Sequence, residues 1–251
     1  MKPGRAGNLH GRCNNLGTAQ AYAPAPRAVY DGAMTTASPT LHYIFDPLCG
    51  WCYGAAPLVE AARGIAGLHI EPHGGGMMTG SNRQPVTDAL RRYVMPHDER
   101  IAGLTGQPFG KDYFDGLLRD TGAVFDSEPP TTAILAAQTL AGRGLDLLRR
   151  IQRAHYVQGL RIADPAVLRA LAADIGRDTG AFDTAYAKAQ GDETAAHIAA
   201  SRRLLAQVGG TGFPTLALER DGVFTLLEPS RYLGRPDAWR DHLQTRIQGG
   251  A

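Results

Sequence analysis

Short apolar runs alternate along this chain with longer segments of helical spacing. The stretch LHYIF at residues 41–45 is rich in β-forming residues and predicts a buried strand. Asp46 and Pro47 end this run, because both residues favour turns. Apolar residues at helical intervals over 55–65 then predict a helix that ends near Gly67. A strand, a turn and a helix in this order are typical of an α/β protein.

Most of the chain between residues 130 and 210 is predicted to be helical. Apolar residues recur at helical intervals in TAILAAQTLAG (132–142), LDLLRRIQRAHYVQ (145–158), PAVLRALAADIG (165–176) and ETAAHIAASRRLLAQVG (193–209). Gly142, Gly159 and Gly176 provide helix stops, and Asp164 with Pro165 provides a helix start. The segments show no fixed period, so they do not form a repeat array.

A β-hairpin is predicted near the C-terminus. In VGGTGFPTLALERDGVFTLLE, residues 208–228, two β-rich runs flank Asp221 and Gly222, a dipeptide typical of hairpin turns. Pro214 stands at the head of the first run, where proline is permitted in a strand. The residues leave both a cis and a trans Phe213–Pro214 bond open.

Two of the three cysteines, Cys49 and Cys52, lie at the predicted start of the first helix. The amides at a helix N-terminus favour an anion, so they favour the thiolate form of Cys49. A zinc site is not predicted, because the chain has no second cysteine pair and because His69 and His73 read as surface or loop residues. A structural disulfide would close too short a loop to constrain the unfolded chain. A redox-active pair is the remaining interpretation.

The segment HGGGMMTG at 73–80 follows a second predicted strand. If this strand is parallel to the first, both carboxyl ends open on the same side, where ligands bind in such sheets. The run lacks the Gly-Lys-Ser/Thr of a phosphate loop, which argues against nucleotide binding. Met77 and Met78 are expected either to form an apolar lip beside Cys49 or to pack into the core.

Composition and charge exclude several classes of protein. The chain has 251 residues, 43% of them hydrophobic, and a formal charge of +2, which is too small to indicate binding to nucleic acid or to an anionic membrane. Residues 1–40 lack a periodic apolar pattern and are expected to be a disordered tail in which Cys13 is unpaired. They also lack the apolar core of a secretory signal, so a cytoplasmic location is expected. Met34 is an alternative start.

Three segments together resemble the DsbA-like branch of the thioredoxin superfamily. They are FDPLCGWCYGAAP, RAHYVQGLRIADPAVLRALAADIG and GGTGFPTLAL. The second is similar to a segment of 2-hydroxychromene-2-carboxylate isomerases, and FDPLCGWC resembles a group of cytoplasmic disulfide isomerases. The resemblance implies an α/β thioredoxin fold with an all-helical insertion. Residues 41–80 and 192–248 would form the thioredoxin-like domain, and residues 81–191 the insertion.

The resemblance also implies roles for individual residues. Cys49 would be the exposed nucleophile and Cys52 the resolving thiol. Pro214 would be a cis-proline whose neighbouring backbone can pair with an extended peptide.

Other residues near the dithiol depart from the family pattern. Gly50, Trp51 and Phe213 differ from the usual residues at their positions, and Tyr43 occupies the place of a buried acidic residue. Asp46 is the nearest carboxylate, and it is expected either to accept a proton from the dithiol or only to form the turn.

Three functions follow from these features. The first is a thiol–disulfide oxidoreductase or isomerase that acts on disulfides or thiols of proteins or small molecules, without a bound cofactor and with glutathione as a candidate redox partner. The second is a glutathione-dependent enzyme of the kappa-transferase or chromene-carboxylate isomerase type. These enzymes typically have Ser in place of Cys49 and lack a resolving cysteine, so the presence of both cysteines argues against this function. The third is a redox-inert binding protein on the same scaffold.

Overall fold

A four-stranded sheet lies at the centre of residues 38–248, the part of the chain that this computed structural model describes. The predicted tail with Cys13 and Met34 falls almost entirely outside these residues, so the expectations for it stay predictions. The strands are β1 (Thr40–Phe45), β2 (His69–Gly74), β3 (Gln84–Pro85), β4 (Val124–Phe125), β5 (Thr215–Arg220) and β6 (Val223–Leu226). The central sheet has the order β2-β1-β5-β6, with β2 parallel to β1 and with β5 antiparallel to both β1 and β6.

Helices make up most of the remaining described chain. They are α1 (Gly50–Arg63), α2 (Asp88–Thr105), α3 (Glu128–Ala141), α4 (Gly144–Tyr156), α5 (Pro165–Asp174), α6 (Thr179–Ala189), α7 (Asp192–Gln207) and α8 (Pro236–Gln248). The helices predicted from periodicity correspond to α1, α3, α4, α5 and α7, and α8 is the C-terminal helix that belongs to the resemblance with the DsbA-like branch. The division into a thioredoxin-like domain and an insertion stays a prediction.

Two helices and a small sheet were not predicted. Helix α2 fully buries only Asp98 and Ile101, and the polar Asp98 interrupts the helical spacing of Leu90, Val94 and Ile101, so the periodic signal in its sequence is weak. Helix α6 likewise buries only Phe182 and Ala189. The predicted all-helical insertion also omitted the antiparallel ladder between β3 and β4, whose strands have two residues each.

The first helix ends earlier than predicted. Helix α1 stops at Arg63, because the amides of Gly64 and Ile65 bond to Ala61 and Ala62 in a tighter final turn. Gly67, the predicted end, has a φ of 77° in the loop that follows.

The predicted hairpin is confirmed. Strands β5 and β6 pair in antiparallel register and are joined by Asp221 and Gly222. The φ angles of these two residues are 49° and 78°, as a primed hairpin turn requires.

Strand β1 is buried on both faces, which explains its continuous apolar run. Leu41, Tyr43 and Phe45 belong to the main hydrophobic core, which also contains residues of α1 and α8. Ile44 instead packs with Val208 and Ala217 in a smaller cluster. Successive side chains of a strand point to opposite faces, so β1 joins the two clusters.

The glycines after β2 allow close packing against the loop before β5. A Cβ at Gly75 would lie 2.1 Å from the ring of Phe213, and a Cβ at Gly76 would lie 2.8 Å from Ile198. Gly76 also has a φ of 61°, which favours glycine. The glycine run therefore allows the residues after β2 to pack closely against the loop before β5. This role fits a run that lacks the sequence of a phosphate loop.

We expect Gly75→Ala to lower the free energy of unfolding by about 1–3 kcal/mol, because the new methyl group collides with the Phe213 ring. Urea denaturation monitored by circular dichroism measures this change. Gly103→Ala is the control, since a Cβ there meets no atom within 4 Å and alanine favours helix α2 by about 0.5–1 kcal/mol. Equal stability of Gly75→Ala and the wild type would contradict the packing described here.

Candidate active site

Cys49 is the N-cap residue of helix α1. Its φ and ψ are −88° and 113°, an extended conformation, and its amide bonds to the carbonyl of Asp46 at 3.1 Å. Its side chain makes no capping bond, and its thiol donates instead to the carbonyl of Phe213 at 3.4 Å. The sulfur therefore lies between the start of a helix and the loop before β5, and neither Cys49 nor Cys52 is in a disulfide.

The peptide bond between Phe213 and Pro214 is cis, so the structure decides the alternative that the sequence left open. Both residues are partly buried. The predicted exposure of Cys49 is wrong for this conformation. Only 6% of the residue is accessible, with the carbonyl of Phe213 in contact with its sulfur.

Cys52 lies one turn further along α1 and is completely buried. Burial raises the pKa of Cys52 well above its usual value, and the hydrogen bond and charge of neighbouring Cys49 raise it further. The amide of Asp46 contacts the Cys52 sulfur at 3.5 Å, and the hydroxyl of Tyr43 donates to the Cys52 carbonyl at 3.3 Å. Cys52 is thus held in its protonated form and has no direct access from solvent.

Asp46 forms the predicted turn and also bonds to two segments outside it. One carboxylate oxygen accepts from the Leu48 amide and the Ser127 hydroxyl, both at 2.9 Å, and the other accepts from the Met77 amide at 2.5 Å. Burial raises the pKa of Asp46 to about 6, although the hydrogen bonds that it accepts act in the opposite direction. The carboxylate is therefore largely ionised at neutral pH. Its predicted role as a proton acceptor stays a prediction.

Gly50 provides space for a buried carboxylate that the sequence interpretation missed. A Cβ at Gly50 would lie 2.7 Å from the Oδ1 atom of Asp98, on helix α2. The hydroxyl of Tyr113 donates to Asp98 at 2.9 Å. Burial raises the pKa of Asp98 to about 7, although the hydrogen bond from Tyr113 lowers it. A second proton-binding group thus lies against the start of the cysteine helix.

A cleft of about 740 Å³ opens beside the dithiol. Its walls include Cys49, Trp51, Met77, Met78, Asp98 and Tyr156. Both methionines also pack against the core, so the two expectations for them, an apolar lip and a core contact, hold together.

Trp51 separates this cleft from a second one of about 510 Å³, which Phe213 and Pro214 line. The guanidinium of Arg100 lies 5.9 Å from the centre of the Trp51 ring, within the range of a cation–π contact. The predicted site residues therefore all lie at or beside the dithiol.

No local pattern of residues points to Asp98. Asp98 lies between Val94 and Ile101 in the helical spacing of α2, and only the packing of α2 on α1 reveals its place beside Gly50. Among the described residues, the group of side chains close enough to share a metal ion consists of His42, Glu71 and His73 and includes neither cysteine.

A dithiol at the start of the helix after β1, facing a cis-proline loop, defines the class of thiol–disulfide oxidoreductases with a thioredoxin fold. The comparisons agree with this class. The family of DsbA-like thioredoxin domains matches residues 40–231, and the chain belongs to this family. No curated protein matches the chain.

Solved structures give more specific relatives. The chain is 59% identical to the cytosolic disulfide reductase DsbM from Pseudomonas aeruginosa, over 84% of this chain and 100% of that one, with a TM-score of 0.79. A structure of the same reductase with GSH matches at 57% identity, over 83% and 99% of the chains, with a TM-score of 0.78. A candidate protein disulfide isomerase from Nitrosomonas europaea is 30% identical, over 85% and 100%, with a TM-score of 0.70. No helix of residues 38–248 is long and apolar enough to span a membrane.

We expect Asp98→Asn to change how stability depends on pH. The pKa of Asp98 is raised in the folded protein to about 7, compared with about 4 in an unfolded chain. The folded state thus binds the extra proton, and this carboxyl lowers stability as pH rises from about 4 to about 7. The stability of Asp98→Asn relative to the wild type should therefore increase across this range, as measured by urea denaturation at several pH values.

The matched control is Tyr113→Phe, which removes the hydrogen bond that favours the ionised carboxylate. The pKa of Asp98 should then rise further, and the loss of stability should extend to higher pH. Parallel pH profiles for the wild type and Asp98→Asn would contradict the burial of this carboxylate.

Proposed function

We propose that this protein is a cytosolic disulfide reductase whose dithiol, Cys49 and Cys52, is returned to the reduced state by glutathione. The observation that carries the proposal is the different surroundings of the two thiols. Cys49 lies at a helix N-terminus on the wall of a large cleft, whereas Cys52 is fully buried behind it. The 59% identity to a cytosolic disulfide reductase supports the direction of the reaction and the compartment. The structure of that reductase with GSH supports the thiol partner.

Cys49 begins the reaction as the nucleophile. As a thiolate at the helix N-terminus, it attacks one sulfur of the substrate disulfide. A mixed disulfide forms between Cys49 and that sulfur, while the substrate S–S bond breaks and the other sulfur leaves as a thiolate. The main chain beside Pro214 is then free to pair with the substrate backbone, as an added strand pairs with a sheet edge.

Cys52 completes the reaction. Because burial holds Cys52 protonated, its proton must leave before its sulfur attacks Cys49. We assign this proton to the carboxylate of Asp46, whose charge acts on Cys52 and whose own pKa of about 6 allows it to release the proton again near neutral pH. The attack forms the Cys49–Cys52 disulfide and releases the second substrate thiol.

Glutathione then regenerates the dithiol. One glutathione thiolate attacks the Cys49–Cys52 disulfide and forms a mixed disulfide on Cys49. A second glutathione attacks this mixed disulfide, so that oxidised glutathione leaves and the protein returns to its dithiol form. The two electrons that reduce the substrate are therefore supplied by two glutathione molecules.

The glutathione-transferase and redox-inert alternatives predict a different role for Cys52. A transferase holds glutathione without a resolving cysteine, and an inert binding protein needs neither thiol. A completely buried thiol in hydrogen-bond contact with Cys49 is the arrangement that resolution of a mixed disulfide requires.

The proposal is tested with two variants in a Cys13→Ser background, which leaves Cys49 and Cys52 as the only cysteines of the chain. We expect Cys49→Ser to lose at least about 10³-fold of the reduction of a disulfide substrate by glutathione, because the nucleophile is missing. Cys52→Ser should accumulate one glutathione per chain on Cys49 when treated with oxidised glutathione. Intact-mass spectrometry and a coupled assay for oxidised glutathione measure these outcomes.

The background protein alone is the control and should keep full activity. Full activity of Cys49→Ser would overturn the assignment of the nucleophile. Full activity of Cys52→Ser, without a trapped adduct in the reaction, would instead favour a glutathione-dependent enzyme that needs a single thiol.

A further inference from the structure

Three side chains that the redox function does not use meet on one face of the central sheet. His42 on β1 is opposite Glu71 on β2, and His73 follows two residues further along β2. Residues two apart in a strand lie on the same face, so Glu71 and His73 both flank His42. His42 is almost completely buried, His73 is partly buried and Glu71 is exposed.

The ligand atoms of these side chains converge. The Nδ1 atom of His42 lies 3.0 Å from Nε2 of His73 and 3.8 Å from Oε2 of Glu71. All three atoms lie within 4.8 Å of one another. In a tetrahedral zinc site, with bonds of about 2.0–2.1 Å, ligand atoms are about 3.3 Å apart. The observed separations from His42 bracket that value, and the exposed Glu71 side chain has room to adjust.

Glu219 orients the central histidine. Its Oε2 atom lies 2.7 Å from Nε2 of His42. Because a carboxylate only accepts hydrogen bonds, Nε2 of His42 carries a hydrogen; in the neutral imidazole, Nδ1 then keeps the lone pair that points to His73 and Glu71. A carboxylate behind a histidine is the arrangement that fixes the tautomer of histidines in metal sites.

A hydrogen bond between His42 and His73 does not explain the position of the Glu71 carboxylate. His73 can donate to Nδ1 of His42, but the carboxylate of Glu71 then faces the same lone pair without a positive charge between them. A cation at the point shared by the three atoms would remove this repulsion. Neighbouring rings also hold the imidazoles in place, since Phe224 packs against His42 and His197 stacks on His73. His197 itself accepts a hydrogen bond from the amide of Gly74.

We propose that His42, Glu71 and His73 form a binding site for one divalent transition-metal ion of the zinc type, with Glu219 as a positioning residue. The donor set of two imidazoles and one carboxylate suits zinc and leaves a fourth position for water. The site differs from the sequence-based expectation of no metal. The proposal does not depend on the proposed reductase function, because neither cysteine takes part.

The test is a zinc titration of the full chain in which all three cysteines are replaced by serine, so that the dithiol cannot bind the metal. Isothermal titration calorimetry with a zinc salt should show one ion per chain. His73→Ala and Glu71→Gln should each weaken binding at least about 10-fold, because each removes a ligand. Glu219→Gln should weaken it about 10–100-fold, because the histidine loses its orienting carboxylate.

His69→Ala is the matched control, since His69 is an exposed histidine on the same strand outside the group. It should bind zinc as the parent does, and circular dichroism should show that every variant is folded. Absence of stoichiometric zinc binding by the parent, or an equal loss in His69→Ala and His73→Ala, would overturn the proposal. If the parent binds no zinc and Glu71→Gln loses stability only at low pH, then His42 is protonated and lies between the carboxylates of Glu71 and Glu219.

Discussion

The arrangement of the active site depends on the hydrogen bonds that the carboxylate of Asp46 accepts. It accepts hydrogen bonds from Leu48 in the cysteine turn, from Met77 after β2 and from Ser127 before α3. Three segments that are distant in sequence are thereby fixed around one completely buried group. A buried carboxylate lowers stability unless its oxygens accept hydrogen bonds. The three donors therefore stabilise Asp46, and Asp46 in turn fixes the positions of the donors. The start of α1, and Cys49 with it, is placed by this network.

Burial then separates the properties of the two cysteines. Cys49 has the helix N-terminus beside it and a large cleft in front of it, whereas Cys52 is enclosed and has its pKa raised by burial. The low dielectric that holds Cys52 protonated also strengthens its coupling to Asp46 and Cys49. An order of events follows: Cys49 reacts first, and Cys52 reacts only once a partner is attached to Cys49.

Features that are encoded locally could be predicted from the sequence. The strand, turn and cysteine helix, and the hairpin around Asp221, follow from neighbouring residues alone. Asp98 could not be found, because it is a polar residue that interrupts the apolar spacing of α2 and because its contact with Gly50 joins two helices. The group around His42 was missed for a similar reason, since it exists only in the parallel register of β1 and β2. The cis bond at Pro214 likewise needed the folded chain to decide it.

The reduction potential of the Cys49–Cys52 pair tests the central claim most directly. The protein is equilibrated in graded glutathione buffers, its thiols are alkylated, and the state of the pair is read by mass spectrometry. A reductase maintained by cytosolic glutathione should show a two-electron transition between the glutaredoxin range of about −200 to −230 mV and the thioredoxin value of about −270 mV. A transition near about −120 mV, the value of a strong oxidant, or failure of Cys49 and Cys52 to pair at any potential, would contradict it.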